Sequence, residues 1–219
     1  MLQLYGHRFS SYTWKALIPL YANGIEFEFR DVDPSAAEGA DNAAFVQSAH
    51  PAGKFPVLVD GGPTVFEATA IVEYLAARHP GPAPLIPPDP VEAVKARMMD
   101  RFFDNYIMNI GQLVVNACIA NRDNPDPGQV RMGREGLLRS YGWLESWLAD
   151  NALPPHVSLV TCAAAPSLFY ADWIERIPVD CPRVAALRAE ILALPPVARC
   201  VDDARAFRHY FPLGAPDRD

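Results

Sequence analysis

The chain has 219 residues, half of them hydrophobic and about a fifth charged, and carries a net charge of −7. That is ordinary globular composition, long enough for one large domain or two small ones with a real core. There is no long basic block, which argues against nucleic-acid binding because phosphate contacts need a concentrated Lys/Arg surface, and no apolar run reaches membrane-spanning length.

The first element is a short alternating strand over 2–6, closed by Gly6. The chain therefore opens on a strand rather than on a charged segment followed by a long apolar one, and a soluble cytoplasmic protein is expected. "YTWKALIPLYANG" (12–24) has apolar residues at helical spacing and stops at Asn23-Gly24. Pro19 falls inside that pattern, where a kink is expected. A second strand is predicted over 25–33, then a polar loop with an irregular helix over 34–50. "FPVLVDGGPTVFEA" (55–68) reads as a hairpin turning at Gly61-Gly62, and 69–80 as an amphipathic helix ended by Pro80.

Residues 80–90 hold six prolines in eleven positions, a stiff extended linker. Beyond it the strand pattern disappears. Helical periodicity runs through 91–120, 127–151 and 158–177, and two short helices follow. The expected division is 1–80, a linker at 81–90, and an all-helical part at 91–219. The cysteines at Cys118, Cys162, Cys181 and Cys200 form no C-x-x-C pair and have no histidine at zinc spacing. They read as buried free thiols of a reducing compartment, with no metal site.

Two stretches point to chemistry. In "HPAGKFPVLVD" (50–60), Pro56 precedes an apolar strand and donates no ladder hydrogen bond. In a cis state it would turn the backbone of Phe55 outward, to pair with a peptide-like ligand as an added strand does. In "FEATAIVEYL" (66–75), Glu67 stands where a strand ends and a helix begins. Free amides at the helix start suit a carboxylate, and Glu67 suits the ammonium of the same amino-acid head.

The order β-α-β-α-β-β-α, with a helix after the first strand, a proline before the third and a glutamate before the last helix, describes a thioredoxin-like domain. Redox members open the first helix with C-x-x-C; here Ser10-Ser11-Tyr12-Thr13 stands in that place. The chain resembles the cytosolic glutathione S-transferase superfamily, of the serine type found in bacterial and zeta-like members. "FSSYTWKAL" is similar to the zeta-class serine segment, "HPAGKFPVL" to the Asn-Pro-x-Gly-x-Val-Pro signature, "EATAIVEYL" to the Glu-Ser-x-Ala-Ile segment, and "SLVTCAAAPSLFYADW" to the core helix of the second domain.

The resemblance implies a thioredoxin-like glutathione-binding domain followed by an all-α substrate-binding domain, a homodimer, and glutathione as co-substrate. It also explains a serine where redox relatives have a thiol. The reactive sulfur arrives with glutathione, and a hydroxyl stabilises its thiolate without forming a mixed disulfide. Ser10 matches the motif's catalytic serine; Ser11 and Tyr5 are the alternatives. Phe55 with cis Pro56 would bind the cysteinyl part, Glu67 with the amides of Ala68 and Thr69 the γ-glutamyl head, and Lys54 the glycine carboxylate. Phe9, Tyr12, Phe102, Phe103, Tyr106 and Ile110 are candidate wall residues for a small hydrophobic electrophile.

Two positions depart from the pattern. Ala68 replaces a serine whose hydroxyl meets the γ-glutamyl carboxylate, an expected loss of ~1–2 kcal/mol in glutathione binding, with Thr69 as a candidate substitute. Thr161 replaces an aspartate that closes a capping box with Ser158, a loss of about 1 kcal/mol of helix stability. The expected activity is conjugation of glutathione to an electrophile. The alternatives are glutathione-dependent isomerisation of a maleyl-type acid and a non-catalytic binding protein favoured by Ala68.

Overall fold

The structure, a computed structural model, describes residues 1–219. Four strands, β1 (Leu2–Gly6), β2 (Glu28–Asp31), β3 (Val57–Asp60) and β4 (Thr64–Phe66), form one sheet in the order β2-β1-β3-β4. β1 runs parallel to β2 and antiparallel to β3, and β4 closes the hairpin. A right-handed crossover is the rule for a parallel pair such as β1 and β2, and α1 (Ser11–Ala22) makes it. β2 is shorter than the nine-residue alternation suggests. Ile25 and Phe27 pack against the core from the loop before it, so their apolar spacing reports burial without pairing.

α2 (Gly39–Ala49) and α3 (Ala68–Arg78) complete the thioredoxin-like half. α2 is a regular helix where an irregular one was expected. It buries only Gly39, Asn42 and Val46, so its single narrow stripe leaves almost no hydrophobic period in the sequence. Beneath it, Tyr5, Val32, Val46 and Val57 form a small separate cluster.

The rest is helical: α4 (Pro90–Phe102), a π-helical segment (Phe103–Met108), α5 (Asn109–Ala120), α6 (Pro127–Trp147), α7 (Leu159–Ile174), α8 (Pro182–Leu192), α9 (Pro195–Ala204) and a final 3-10 turn (Arg205–Tyr210). The periodicity through 91–120 is thus one helical rod with a π segment inside it. Every residue of α7 is buried, the mark of a helix enclosed on all sides. It meets α1, α4 and α8, and Trp14 of α1 packs with ring centroids 4.9 Å from Phe169 and 5.4 Å from Tyr170. The two halves therefore share a continuous core. The proline-rich stretch is pinned to it as well: Leu85 is buried, and its carbonyl accepts from the Leu159 amide at 2.7 Å. No helix is long and apolar enough to cross a membrane.

Candidate active site

The turn before α1 is held from three sides. His7 Nδ1 accepts from the Phe9 amide at 3.0 Å, while its Nε2 faces Asp33 Oδ2 at 2.8 Å. With Nδ1 accepting, the ring proton belongs on Nε2. Asp33 is nearly enclosed; the Ser35 hydroxyl first, and then His7, hold its carboxyl well below the usual carboxylate range. Trp14 donates its indole N–H to the Arg8 carbonyl at 2.6 Å, and Tyr170 of α7 donates to the Phe9 carbonyl at 2.7 Å.

Ser10 follows with extended dihedrals (φ −87°, ψ 128°) and caps α1: its Oγ accepts from the Thr13 amide at 3.3 Å. The cap uses the oxygen as acceptor, and no group of the chain accepts the hydroxyl proton. Ser11 is the first residue of the helix, and both serines border the same open cleft. Tyr5 does not. Its ring packs at 4.3 Å on Phe45 under α2, and its hydroxyl points along β1 to Gln3 at 3.5 Å. The strand's alternation sends it to the face opposite α1, which removes it as an alternative to Ser10.

Across the cleft, the Phe55–Pro56 peptide is cis. Phe55 stands just ahead of β3 with its N–H and C=O unpaired, and Lys54 beside it is exposed. Glu67 joins β4 to α3 at φ 71°, a left-handed conformation that costs a non-glycine residue roughly 1–3 kcal/mol and recurs at ligand sites. Its side chain is 72% exposed, with Oε1 3.5 Å from His50 Nε2. Glu67 makes no side-chain cap and the first intrahelical bond runs from Ile71, so the Ala68 and Thr69 amides have no backbone partner.

The Thr69 hydroxyl is turned the other way. It receives Lys15 Nζ at 2.8 Å and Arg101 at 3.1 Å, and donates to Asp100 at 3.1 Å. Lys15, only 1% exposed, also bridges Asp100 at 2.6 Å and Asp104 at 2.7 Å. This buried network couples α1, α3 and α4. It answers the expectation about Thr69: a hydroxyl engaged with these groups cannot replace the serine hydroxyl that Ala68 lacks. Burial pushes the Asp100 carboxyl up, against the pull of Lys15.

The cleft between the halves measures about 590 Å³. Phe9 and Tyr12 lie on its wall. Phe102, Tyr106 and Ile110 instead line a second groove of about 560 Å³ with Met98 and Trp143, and Phe103 is fully buried in the core. The reason is helical phase. Residues 102, 106 and 110 recur every fourth position through the π segment and share one face, whereas the cleft receives a different face of α5.

The domain model for the glutathione S-transferase N-terminal domain matches residues 1–77. Over 154 residues, 69% of this chain and 66% of the relative, the sequence is 34% identical to glutathione S-transferase 1 of Dianthus caryophyllus. A probable maleylacetoacetate isomerase of Caenorhabditis elegans is 29% identical over 171 residues, 77% of this chain and 78% of that one. A Methylobacterium radiotolerans glutathione S-transferase, solved in complex with glutathione sulfonate, superposes with a TM-score of 0.73 at 24% identity, covering 91% of this chain and 94% of that one. The chain belongs to the glutathione S-transferase superfamily.

Within that family setting, several cleft residues escaped sequence reasoning. Asn109, Gln112 and Asn116 of α5 lie on the wall, as do Tyr170, Tyr210 and Phe211. The three amides carried a signal, a polar stripe at i, i+3, i+7 on an otherwise apolar helix. The other three come from α7 and the C-terminal turn, and no local pattern marks them. Lys15 was also legible, as one charge inside "TWKALIPL".

Proposed function

We propose that the chain is a glutathione transferase in which Ser10 stabilises the thiolate of glutathione for attack on an electrophilic carbon. The observation that carries this reading is the Ser10 hydroxyl: its oxygen is held by the Thr13 amide, Ser10 lines the cleft, and no group of the chain accepts its proton. A free thiol ionises near pH 8.5. A donated hydrogen bond and the positive end of α1 both favour its charged form. The thiolate sulfur bonds to the electrophilic carbon, the leaving group departs with the bonding pair, and the thiol proton passes to solvent.

On this reading glutathione lies across the N-terminal half. The Phe55 backbone takes the cysteinyl part, the Ala68 and Thr69 amides with Glu67 take the γ-glutamyl head, and Lys54 takes the glycine carboxylate. The boundary between the glutathione half and the substrate half falls in the proline-rich segment 81–90. The groove with Phe102, Tyr106 and Trp143 is covered by a second copy of the chain, since Tyr106 is 58% and Trp143 47% exposed on it; light scattering at a dimer mass is the expected result. The four unpaired cysteines suit the reducing cytoplasm.

Relatives named maleylacetoacetate isomerase favour a second reading, thiol-assisted isomerisation of a maleyl-type acid. Both readings need the same thiolate. Calorimetric titration with reduced glutathione, in two buffers of different ionisation enthalpy, tests it. Binding with proton release that Ser10→Ala abolishes is expected; absence of binding at millimolar glutathione would favour a non-catalytic binding protein.

A further inference from the structure

We propose that the cleft selects uncharged aryl electrophiles bearing a neutral hydrogen-bonding substituent, and discriminates against carboxylates, through the amide row Asn109–Gln112–Asn116. The inference rests on the transferase reading above and names the substrate class of that same cleft.

Of the 18 residues that line the cleft, Lys54 is the only charged one. It stands beside Phe55 on the glutathione side, opposite α5. The α5 wall has two parallel stripes. Val115 and Ile119, with Met108 at the end of the π segment, make the apolar one, and Asn109, Gln112 and Asn116 the amide one. An aromatic ring is matched by the first, and a polar substituent on it by the second.

The amides are partly paired among themselves. Tyr12 donates to Asn109 Oδ1 at 2.9 Å, and Gln112 Nε2 donates to Asn116 Oδ1 at 2.9 Å. That leaves the Gln112 carbonyl and the Asn116 N–H groups for a ligand. They supply one acceptor side and one donor side, which suits a carboxamide, or a nitro group on the donors alone. Tyr12 adds no charge: burial, and then Asp104 and Glu67, push its phenol up, so it stays protonated. A carboxylate placed against the α5 wall meets neutral amides and apolar side chains but no cation, so its charge goes unpaired there, whereas a neutral substituent keeps the hydrogen bonds without a charge to compensate.

Two matched probes decide this: 4-chloro-3-nitrobenzamide and 4-chloro-3-nitrobenzoate. In each, the glutathione sulfur bonds to the ring carbon carrying chlorine, chloride leaves with the bonding pair, and the thiol proton goes to buffer. Rates are divided by the uncatalysed rate with glutathione at the same pH, which removes the difference in intrinsic reactivity. The expected enhancement is at least about tenfold larger for the benzamide. Gln112→Leu combined with Asn116→Leu should close that gap, and Asn116→Lys should raise the benzoate enhancement. Equal enhancements, or a benzamide preference that survives the double variant, overturn the proposal.

Glutathione binding is measured calorimetrically on the same preparation. If glutathione binds but neither probe reacts, the comparison passes to the affinities for the two product conjugates, S-(4-carbamoyl-2-nitrophenyl)glutathione and its 4-carboxy counterpart. Tighter binding of the carbamoyl conjugate sustains the proposal and equal binding overturns it. If glutathione itself does not bind, the transferase reading has failed, and the selectivity proposal is overturned with it.

Discussion

Two helices begin with the same local chemistry and end in different roles. Ser10-Ser11-Tyr12-Thr13 opens α1 and Ser158-Leu159-Val160-Thr161 opens α7. In both, an extended serine accepts from the amide three residues on, at 3.3 Å and 3.4 Å. At α7 the cap is closed. Ser158 is buried, its hydroxyl meets Thr161 Oγ1 at 3.2 Å, and Thr161 in turn donates to the His156 carbonyl at 3.2 Å. Thr161 thus finds its own partners in place of the reach-back an aspartate would make. At α1 the fourth residue turns away: the Thr13 hydroxyl is buried against Gly6 without a partner. The Ser10 proton therefore stays available. A capping serine becomes chemically useful when its oxygen is satisfied, its proton is not, and the helix start faces a cleft.

The largest expected effect is at the open cap. Ser10→Ala removes a hydrogen bond to a thiolate, worth ~1.5–3 kcal/mol, so kcat/KM should fall about 10- to 100-fold. The pH midpoint of the rate should move up, because the thiolate is less favoured. Ser11→Ala should stay within a few-fold; a large fall there instead would reassign the thiolate contact. Next comes α3, a helix start with no side-chain cap. Ala68→Ser should tighten glutathione by ~1–2 kcal/mol, seen as a lower calorimetric Kd, since the Thr69 hydroxyl is already engaged. An unchanged Kd would show that the amides alone saturate the carboxylate.

At the closed cap, Ser158→Ala should cost about 1–2 kcal/mol of stability in denaturant titration and leave kcat/KM per folded molecule intact. A loss of activity would dissolve the contrast between the caps. The smallest effect concerns acid. Asp33 steadies the turn before α1, and its folded pKa lies below the unfolded one. Its stabilisation is therefore complete above the ordinary carboxylate range and lost as pH falls from about 4 toward the folded value. Asp33→Asn should be less stable at neutral pH, and its urea midpoint should decline less between about pH 5 and 3 than the parent's.

Much of the fold and part of the site were legible before any coordinate. β1, α1, the hairpin and α3 follow from alternation, helical spacing and Gly61-Gly62. α2 hid because three buried residues in eleven leave no period. Ser10, Phe55 and Glu67 could be placed from motifs, since each belongs to a local turn whose chemistry the sequence writes down. Tyr5 could not, because one step along a strand reverses the face. Nor could Phe102, Tyr106 and Ile110, whose spacing is faithful to a helix face but silent on what that face meets. The Lys15–Asp100–Asp104–Thr69 network joins residues up to 89 positions apart, and no window of sequence contains it.

The π segment at Phe103–Met108 makes α4 and α5 one rod with a phase error. An extra residue in a helical turn rotates everything downstream by about 100° relative to everything upstream. One rod can then present Phe102 to the outer groove and still aim Asn109, Gln112 and Asn116 at the cleft. The segment acts as a gear tooth between two surfaces that would otherwise have to share a face. Removing Asn105 from it would delete no residue of either wall, yet would turn the amide row away from the cleft and Ile110 away from the outer groove.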